Sequence, residues 1–194
     1  NDEIDSILLD LNINTILKTR YNVISIDLIG FGKSDTMRNA FNLNDYAYML
    51  HNILNYYIER YKFENICFLG HSFGGRIIIK YLSCYKSNNL KGIILCSSAA
   101  IKNRSFKKYY KIYKYKLKKA YFRLVSIFSK SFKMKLEKLI NTSGSSDYIG
   151  LNNELKGTMS LALREDLFYK LANIKVKTII AWGKNDVITP LSEG

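Results

Sequence analysis

At 194 residues with 47% hydrophobic content, the chain is of single-domain size and can bury a substantial core. No apolar run approaches the roughly 18 residues of a membrane-spanning helix, and the start Asn1-Asp2-Glu3 lacks the basic region of a secretory signal. A cytoplasmic location is therefore expected, and the formal net charge of +14 leaves acidic partners to be considered.

Taken in chain order, residues 5–19 read as a helix, with apolar positions Ile7, Leu8, Leu11, Ile13, Ile16 and Leu17. Residues 21–28 read as a strand ending in the Gly30-Phe31-Gly32 turn, and Asn44 is the candidate N-cap of a helix running to about Tyr61. Strands are predicted at 65–69, 92–96 and 178–182, each a short apolar run of the kind found in parallel sheets covered on both faces. A helix is predicted over 76–85, with Ile77, Ile78, Ile79, Tyr81 and Leu82 apolar, and another over 158–171 after a hinge at 141–157. This alternation predicts an α/β fold with a parallel sheet and helices on both faces. Cys67, Cys84 and Cys96 form an odd set without metal-type spacing and read as reduced core residues.

The run Gly70-His71-Ser72-Phe73-Gly74-Gly75 sits at the predicted strand-to-helix junction. Lifting a serine oxygen clear of the backbone there forces a sharp turn, with small residues two before and two after it where strand and helix pass closely. Ser72 is thus a candidate nucleophile and the Phe73 amide a candidate oxyanion donor, against the plainer reading of a glycine turn with a bystander serine.

Three ordered segments carry a family resemblance: YNVISIDLIGFGKSD (21–35), FLGHSFGG (68–75) and IKVKTIIAWGKNDVITP (174–190). The chain resembles the α/β-hydrolase superfamily, in particular bacterial serine hydrolases of the esterase, carbon-carbon hydrolase and aminopeptidase type. The resemblance implies an α/β-hydrolase fold, a mostly parallel sheet flanked by helices with a helical cap insertion. It divides the chain into an N-terminal part of the core at 1–100, a cap at 101–172 and a return to the core at 173–194. In the family, the aspartate of the Trp-Gly-x-x-Asp pattern is the catalytic acid, which here is Asp186; the alternative is an aspartate that caps a turn. The serine at the elbow argues against the dehalogenases and epoxide hydrolases of the same fold, which carry aspartate there.

A triad also needs an imidazole base, and the chain offers only His51 and His71. In the family, a histidine at the position of His71 is commonly not the base, and His51 reads as a packing residue of its helix. The family's base follows the acid, so the resemblance puts it beyond Gly194, and the second oxyanion donor before the start of the chain. The sequence is accordingly expected to be an internal fragment, inactive by itself, of a hydrolase of about 250 residues that lacks the first strands and the last one.

Residues 101–140 hold 14 Lys or Arg against one acid, Glu137, so this window carries +13 of the net +14. Phe106, Tyr110, Tyr113, Leu117, Tyr121, Leu124 and Phe128 recur at spacings of three and four, predicting a helix with an apolar face opposite a basic one. The family places its lid here. The basic face is open to three readings: a solvated surface, attraction of acidic substrate or anionic lipid, or nucleic-acid contact, for which no recognised module is present. Asp147, in the Gly144-Ser145-Ser146-Asp147-Tyr148 stretch, and Asp35 read as turn or capping residues.

The combined expectation is a serine hydrolase acting on an ester, thioester, amide or activated carbon-carbon bond of a small acyl substrate, with no metal or organic cofactor implied. The alternative is a non-catalytic hydrolase-like module that uses its basic cap to engage an acidic partner or membrane.

Overall fold

The computed structural model describes residues 13–98, 100, 106–125, 131, 133–135, 138, 151–186 and 189–193. Helix α1 spans Ile13–Lys18 and α2 Leu43–Tyr61; they are followed by β1, Ile66–His71, α3, Phe73–Cys84, and β2, Leu90–Cys96. Then come α4, Phe106–Val125, α5, Asn153–Arg164, α6, Phe168–Leu171, and β3, Lys177–Ala181, before a 3₁₀ turn at Leu191–Glu193.

The strands form a parallel sheet in the order β1-β2-β3. Phe68 lies opposite Ile93, Gly70 opposite Leu95 and His71 opposite Cys96, while Cys96 pairs in turn with Ala181. The ends of all three strands therefore lie along one edge.

Helix α2 starts at a capping box on Asn42, two residues before Asn44. The Asn42 side chain accepts from the amides of Asn44 and Asp45 at 2.7 and 3.3 Å, and the Asp45 carboxylate accepts from the Asn42 amide at 2.7 Å. Asn44 thus stands inside the helix, because only Asn42 has the extended backbone that aims its oxygen at the first amides. The helix stops at Lys62, whose left-handed φ of 54° turns its amide back onto the Ile58 carbonyl.

Leu43, Tyr46, Ala47 and Leu54 form the buried stripe of α2. They join Ile77, Ile78, Ile79 and Tyr81 of α3, Leu90, Ile93 and Leu95 of β2, and Ala162 and Leu167 in one core. Each leucine or isoleucine among them contributes about 1.5 to 3 kcal/mol when fully buried. Helix α3 is therefore the centre of the packing, between α2, β1 and α6.

Several expectations change. Residues 21–28 form no strand and pair with none among the described residues, and Tyr21, Ile24 and Ile26 are exposed. An extended run forms a strand only where a neighbour offers its amides and carbonyls. The expected cover on both sheet faces is likewise seen on one: α3 lies against β1, whereas Leu69 and Ile179, in the row through Ile94 on the other face, are exposed among the described residues. Cys67 and Cys84 are exposed and Cys96 half-buried, all three unpaired, so the first two are not core residues. For Cys67 the cause is its place on that uncovered face.

Of the predicted helix at 5–19, the part before residue 13 lies outside the described residues. The hinge at 141–157 ends sooner than expected: Asn152 caps α5 by accepting from the Leu155 amide, and Gly157 is inside the helix. Residues 141–150, Asp147 among them, lie outside the described residues. The helix predicted over 158–171 is two helices, separated where the Glu165 backbone becomes extended.

Candidate active site

The elbow is built from strand, turn and helix in six residues. Gly70 ends the buried part of β1, and Ser72 follows with φ 49° and ψ −112°, a conformation that costs a residue with a side chain about 1 to 3 kcal/mol. The Ser72 amide is held by the Cys96 carbonyl of β2 at 2.9 Å, and α3 begins at the next residue. No side-chain bond ties Ser72 into the cap of α3, and the residue is exposed.

Close approach explains two of the three glycines. A Cβ on Gly70 would sit 2.6 Å from Ile78 Cδ1 and 2.7 Å from the Gly75 nitrogen, and one on Gly75 would reach within 2.3 Å of Ser98 Cβ. A Cβ on Gly74 would meet nothing within 4 Å among the described residues. The small residue that the turn needs on its helical side is therefore Gly75, not Gly74, because it is the Gly75 backbone that crosses beneath β1.

Ser98 completes this crossing. Its buried hydroxyl lies 3.1 Å from the Gly70 carbonyl and 2.9 Å from that of Cys96, so its one proton ties the end of β1 to the end of β2. Ser97 before it has φ 44° and donates its amide to the Ala181 carbonyl of β3 at 2.9 Å. Sequence reasoning passed over both serines. The available signal was a pair of small polar residues directly after a β-strand, at the level where the elbow glycines need room.

The Phe73 amide is in the first turn of α3, where helix amides have no intrahelical acceptor. Its ring packs against Phe31 at 5.8 Å and edge-on against Tyr46 at 5.3 Å. The Gly30-Phe31-Gly32 turn thus props the elbow from outside. Gly30 and Gly32 both have positive φ, and the turn is closed by the Gly30 amide on the Asp35 carbonyl and the Lys33 amide on the Asp27 carboxylate, each at 3.0 Å. The Tyr46 hydroxyl donates to the Ile29 carbonyl at 2.8 Å, and burial, with Asp45 adding repulsion, pushes its pKa up to about 12.

Asp186 follows β3, on the strand edge that also carries Ser72; the ends of β1 and β3 are two strand spacings apart, about 10 Å. One Asp186 carboxylate oxygen accepts from the Thr189 amide at 2.8 Å and the other from the Thr189 hydroxyl at 2.7 Å. The Trp182 indole donates to the Thr189 carbonyl at 2.6 Å. Asp186 therefore closes its own turn onto Thr189.

Neither histidine is joined to the Ser72 hydroxyl by a hydrogen bond among the described residues. His51 is stacked on Tyr85 at 4.2 Å and has Asn55 Nδ2 3.1 Å from its Nε2. Along α3, Tyr81 and Tyr85 lie roughly 13 and 19 Å from Ser72, so His51 packs at the far end of that helix. His71 ends β1, half-buried, immediately before the elbow.

One helical turn beyond Ser72, the buried Arg76 donates to the carbonyls of Ala162 and Glu165 at 2.8 and 2.5 Å, satisfying the C-terminus of α5. Lys80, also buried, meets the Glu165 carboxylate at 2.6 Å. The Phe41 amide donates to Thr158 and the Leu167 amide to the Ala100 carbonyl, at 2.8 and 3.0 Å. The segment 153–167 is thereby fastened beside the elbow. Among the described residues no group of three or more His, Cys, Asp or Glu could hold a metal ion, and no helix is long and apolar enough to cross a membrane.

The model of the alpha/beta hydrolase fold matches residues 10–194. AB hydrolase superfamily protein YisY of Bacillus subtilis (strain 168) is 29% identical over 200 residues, covering 94% of this chain and 70% of that protein. A bromoperoxidase from Bacillus anthracis superposes with a TM-score of 0.61 at 18% identity, over 94% of this chain and 70% of its own. An esterase from Exiguobacterium antarcticum gives 0.59 at 24%, over 92% and 69%. A meta-cleavage product hydrolase from Pseudomonas fluorescens IP01 gives 0.55 at 18%, over 91% and 66%. Sheet, elbow and sequence agree, and the chain belongs to the alpha/beta hydrolase fold family.

Proposed function

We propose that the protein carrying this chain is a serine hydrolase of small acyl substrates, with Ser72 as nucleophile. The observation that carries this reading is the strained, exposed backbone of Ser72 at the junction of β1 and α3, kept in place by contacts of Gly70, Gly75 and Ser98. A turn of this energy persists only where its surroundings enforce it, and it lifts the hydroxyl clear of the sheet.

In this mechanism Ser72 Oγ attacks the carbonyl carbon of an ester, thioester, amide or activated carbon-carbon bond while an imidazole takes its proton. The oxyanion receives the Phe73 amide, the imidazole returns the proton to the leaving group, and water then releases the acyl group from Ser72. Asp186, pre-set by Thr189, orients the imidazole and stabilises its positive charge. Neither His51 nor His71 is arranged to serve as that base, so the reading requires a histidine outside the described residues. Residues 101–172 act as the lid, with α5 clamped to the elbow helix by Arg76 and Lys80.

The test is fluorophosphonate labelling of the protein that carries this chain, with Ser72→Ala as control. Labelling lost in Ser72→Ala supports an activated nucleophile at Ser72. A folded protein that is not labelled, or that is labelled equally in the variant, overturns it in favour of a binding module.

A further inference from the structure

Helix α2 carries a second face besides its core stripe. Met49 and Ile53, one turn apart and both half-buried, join Ile29 and Phe41 as the apolar lining of an open groove of about 580 Å³. Asp45, Tyr48 and Asn52 border it from the helix and Asn39 from the preceding segment, all four exposed. Neither asparagine side chain nor the Tyr48 hydroxyl has a hydrogen-bond partner among the described residues. The Asp45 carboxylate uses one oxygen on the Asn42 amide at 2.7 Å, and its other oxygen has no hydrogen bond among the described residues.

We propose that this groove binds a small aromatic amine. A groove of this size takes one ring with a short arm, and a mostly apolar lining with a few polar groups at its border is the usual make-up of a small-molecule site. Asp45 is the one charged residue of the described lining, so the head group it selects is a cation. An ammonium has three protons to donate, and the free Asp45 oxygen, the two asparagine carbonyls and the Tyr48 hydroxyl are acceptors for them. The Tyr48 ring, 58% exposed, adds a π-face for the same charge. A carboxylate ligand would meet the Asp45 charge with no cation in the described lining to offset it. The groove is also distinct from the elbow. Its Phe41 ring packs on Tyr46 at 5.6 Å, and it is Tyr46 that meets Phe73, at 5.3 Å. This inference stands whether or not Ser72 is a nucleophile.

The test uses the whole chain at neutral pH with phenethylamine, and with 2-phenylethanol and phenylacetate as its neutral and anionic counterparts. A ligand this small is expected to bind with a dissociation constant on the order of 1 mM. At about ten times that concentration the amine should raise the thermal midpoint by roughly 3 to 6 °C, the alcohol by much less and phenylacetate not at all. Saturation-transfer NMR on the amine gives a second readout that does not depend on melting. Asp45→Asn keeps an oxygen for the Asn42 amide while removing the charge, and is expected to bring the amine down to the level of the alcohol. Asn52→Trp, at an exposed helix position, fills the groove and is expected to abolish the shift and the saturation transfer. Three results overturn the proposal: no shift and no transfer with phenethylamine, an equal shift with phenylacetate or the alcohol, or an amine response unchanged in either variant.

Discussion

Replacing Gly75 and Gly74 in turn by alanine separates the glycine that the elbow requires from the one beside it. Neither has a positive φ, so the backbone accepts a side chain at both, and a change to alanine within a helix gains about 1 kcal/mol. At Gly74 the new methyl meets nothing within 4 Å among the described residues, so that gain is expected to appear as added stability. At Gly75 it would lie 2.3 Å from Ser98 Cβ and closer still to the hydroxyl. Ser98 must move by more than an ångström, which costs about 2 kcal/mol in overpacking and about 1 kcal/mol in the buried hydrogen bond it gives up. With the helix gain subtracted, Gly75→Ala is destabilised by about 2 kcal/mol, some 3 kcal/mol below Gly74→Ala. For a chain of this size thermal unfolding followed by circular dichroism should separate the two by roughly 6 to 12 °C. Ser98→Gly in the Gly75→Ala background removes the clashing atoms and is expected to recover the packing part of the loss. Equal melting of the two alanine variants would refute the account of the crossing.

Ser72→Gly is expected to be about 1 kcal/mol more stable than Ser72→Ala in urea unfolding, because only glycine relieves the strained φ and ψ; equal stability would mean that no strain is stored there. Glu165→Gln leaves the buried Lys80 cation without its carboxylate and should cost about 2 kcal/mol, less than for a fully buried pair since the Glu165 side chain is 28% exposed. Adding Lys80→Met should restore most of that loss, and a double variant as unstable as Glu165→Gln would count against the pairing. Above pH 10 an unfolded tyrosine gives up its proton, whereas folded Tyr46 keeps it to about 12; the native state then binds more protons and stability falls as pH rises. Between those values Tyr46→Phe should lose about 1.4 kcal/mol per pH unit less than the parent chain, and parallel pH profiles would rule out the raised value.

The elbow was legible because its requirements are local: a short apolar run, a glycine, a serine and a helical period lie within about 20 residues. The same locality gave β1, α3, β2 and β3 to within two or three residues. What could not be read depends on partners distant in sequence. Residues 21–28 have the alternation of a strand, but pairing is a property of two strands. Nothing local marks Arg76 and Lys80, and only the arrival of Ala162 and Glu165, some 85 residues on, buries them. The assignment of the elbow glycine moved from Gly74 to Gly75 for the same reason, since Ser98 belongs to another strand end. Asp186 was found from its motif, while its tie to Thr189 needed the turn to be seen closed.

The backbone links from Ser72 to Cys96 and from Ser97 to Ala181 have a consequence for how the molecule can vary. Residues 97–176 leave the sheet from β2 and re-enter at its immediate neighbour β3, so the two ends of this long excursion are moored side by side whatever lies between them. Closing a loop becomes costlier only with the logarithm of its length, and doubling the excursion would add about 0.6 kcal/mol. The excursion can therefore be lengthened, trimmed or exchanged for that of a relative while the distance between the first and third strand ends stays the same. Such a graft needs to keep a carbonyl-rich helix end for Arg76 and a carboxylate for Lys80.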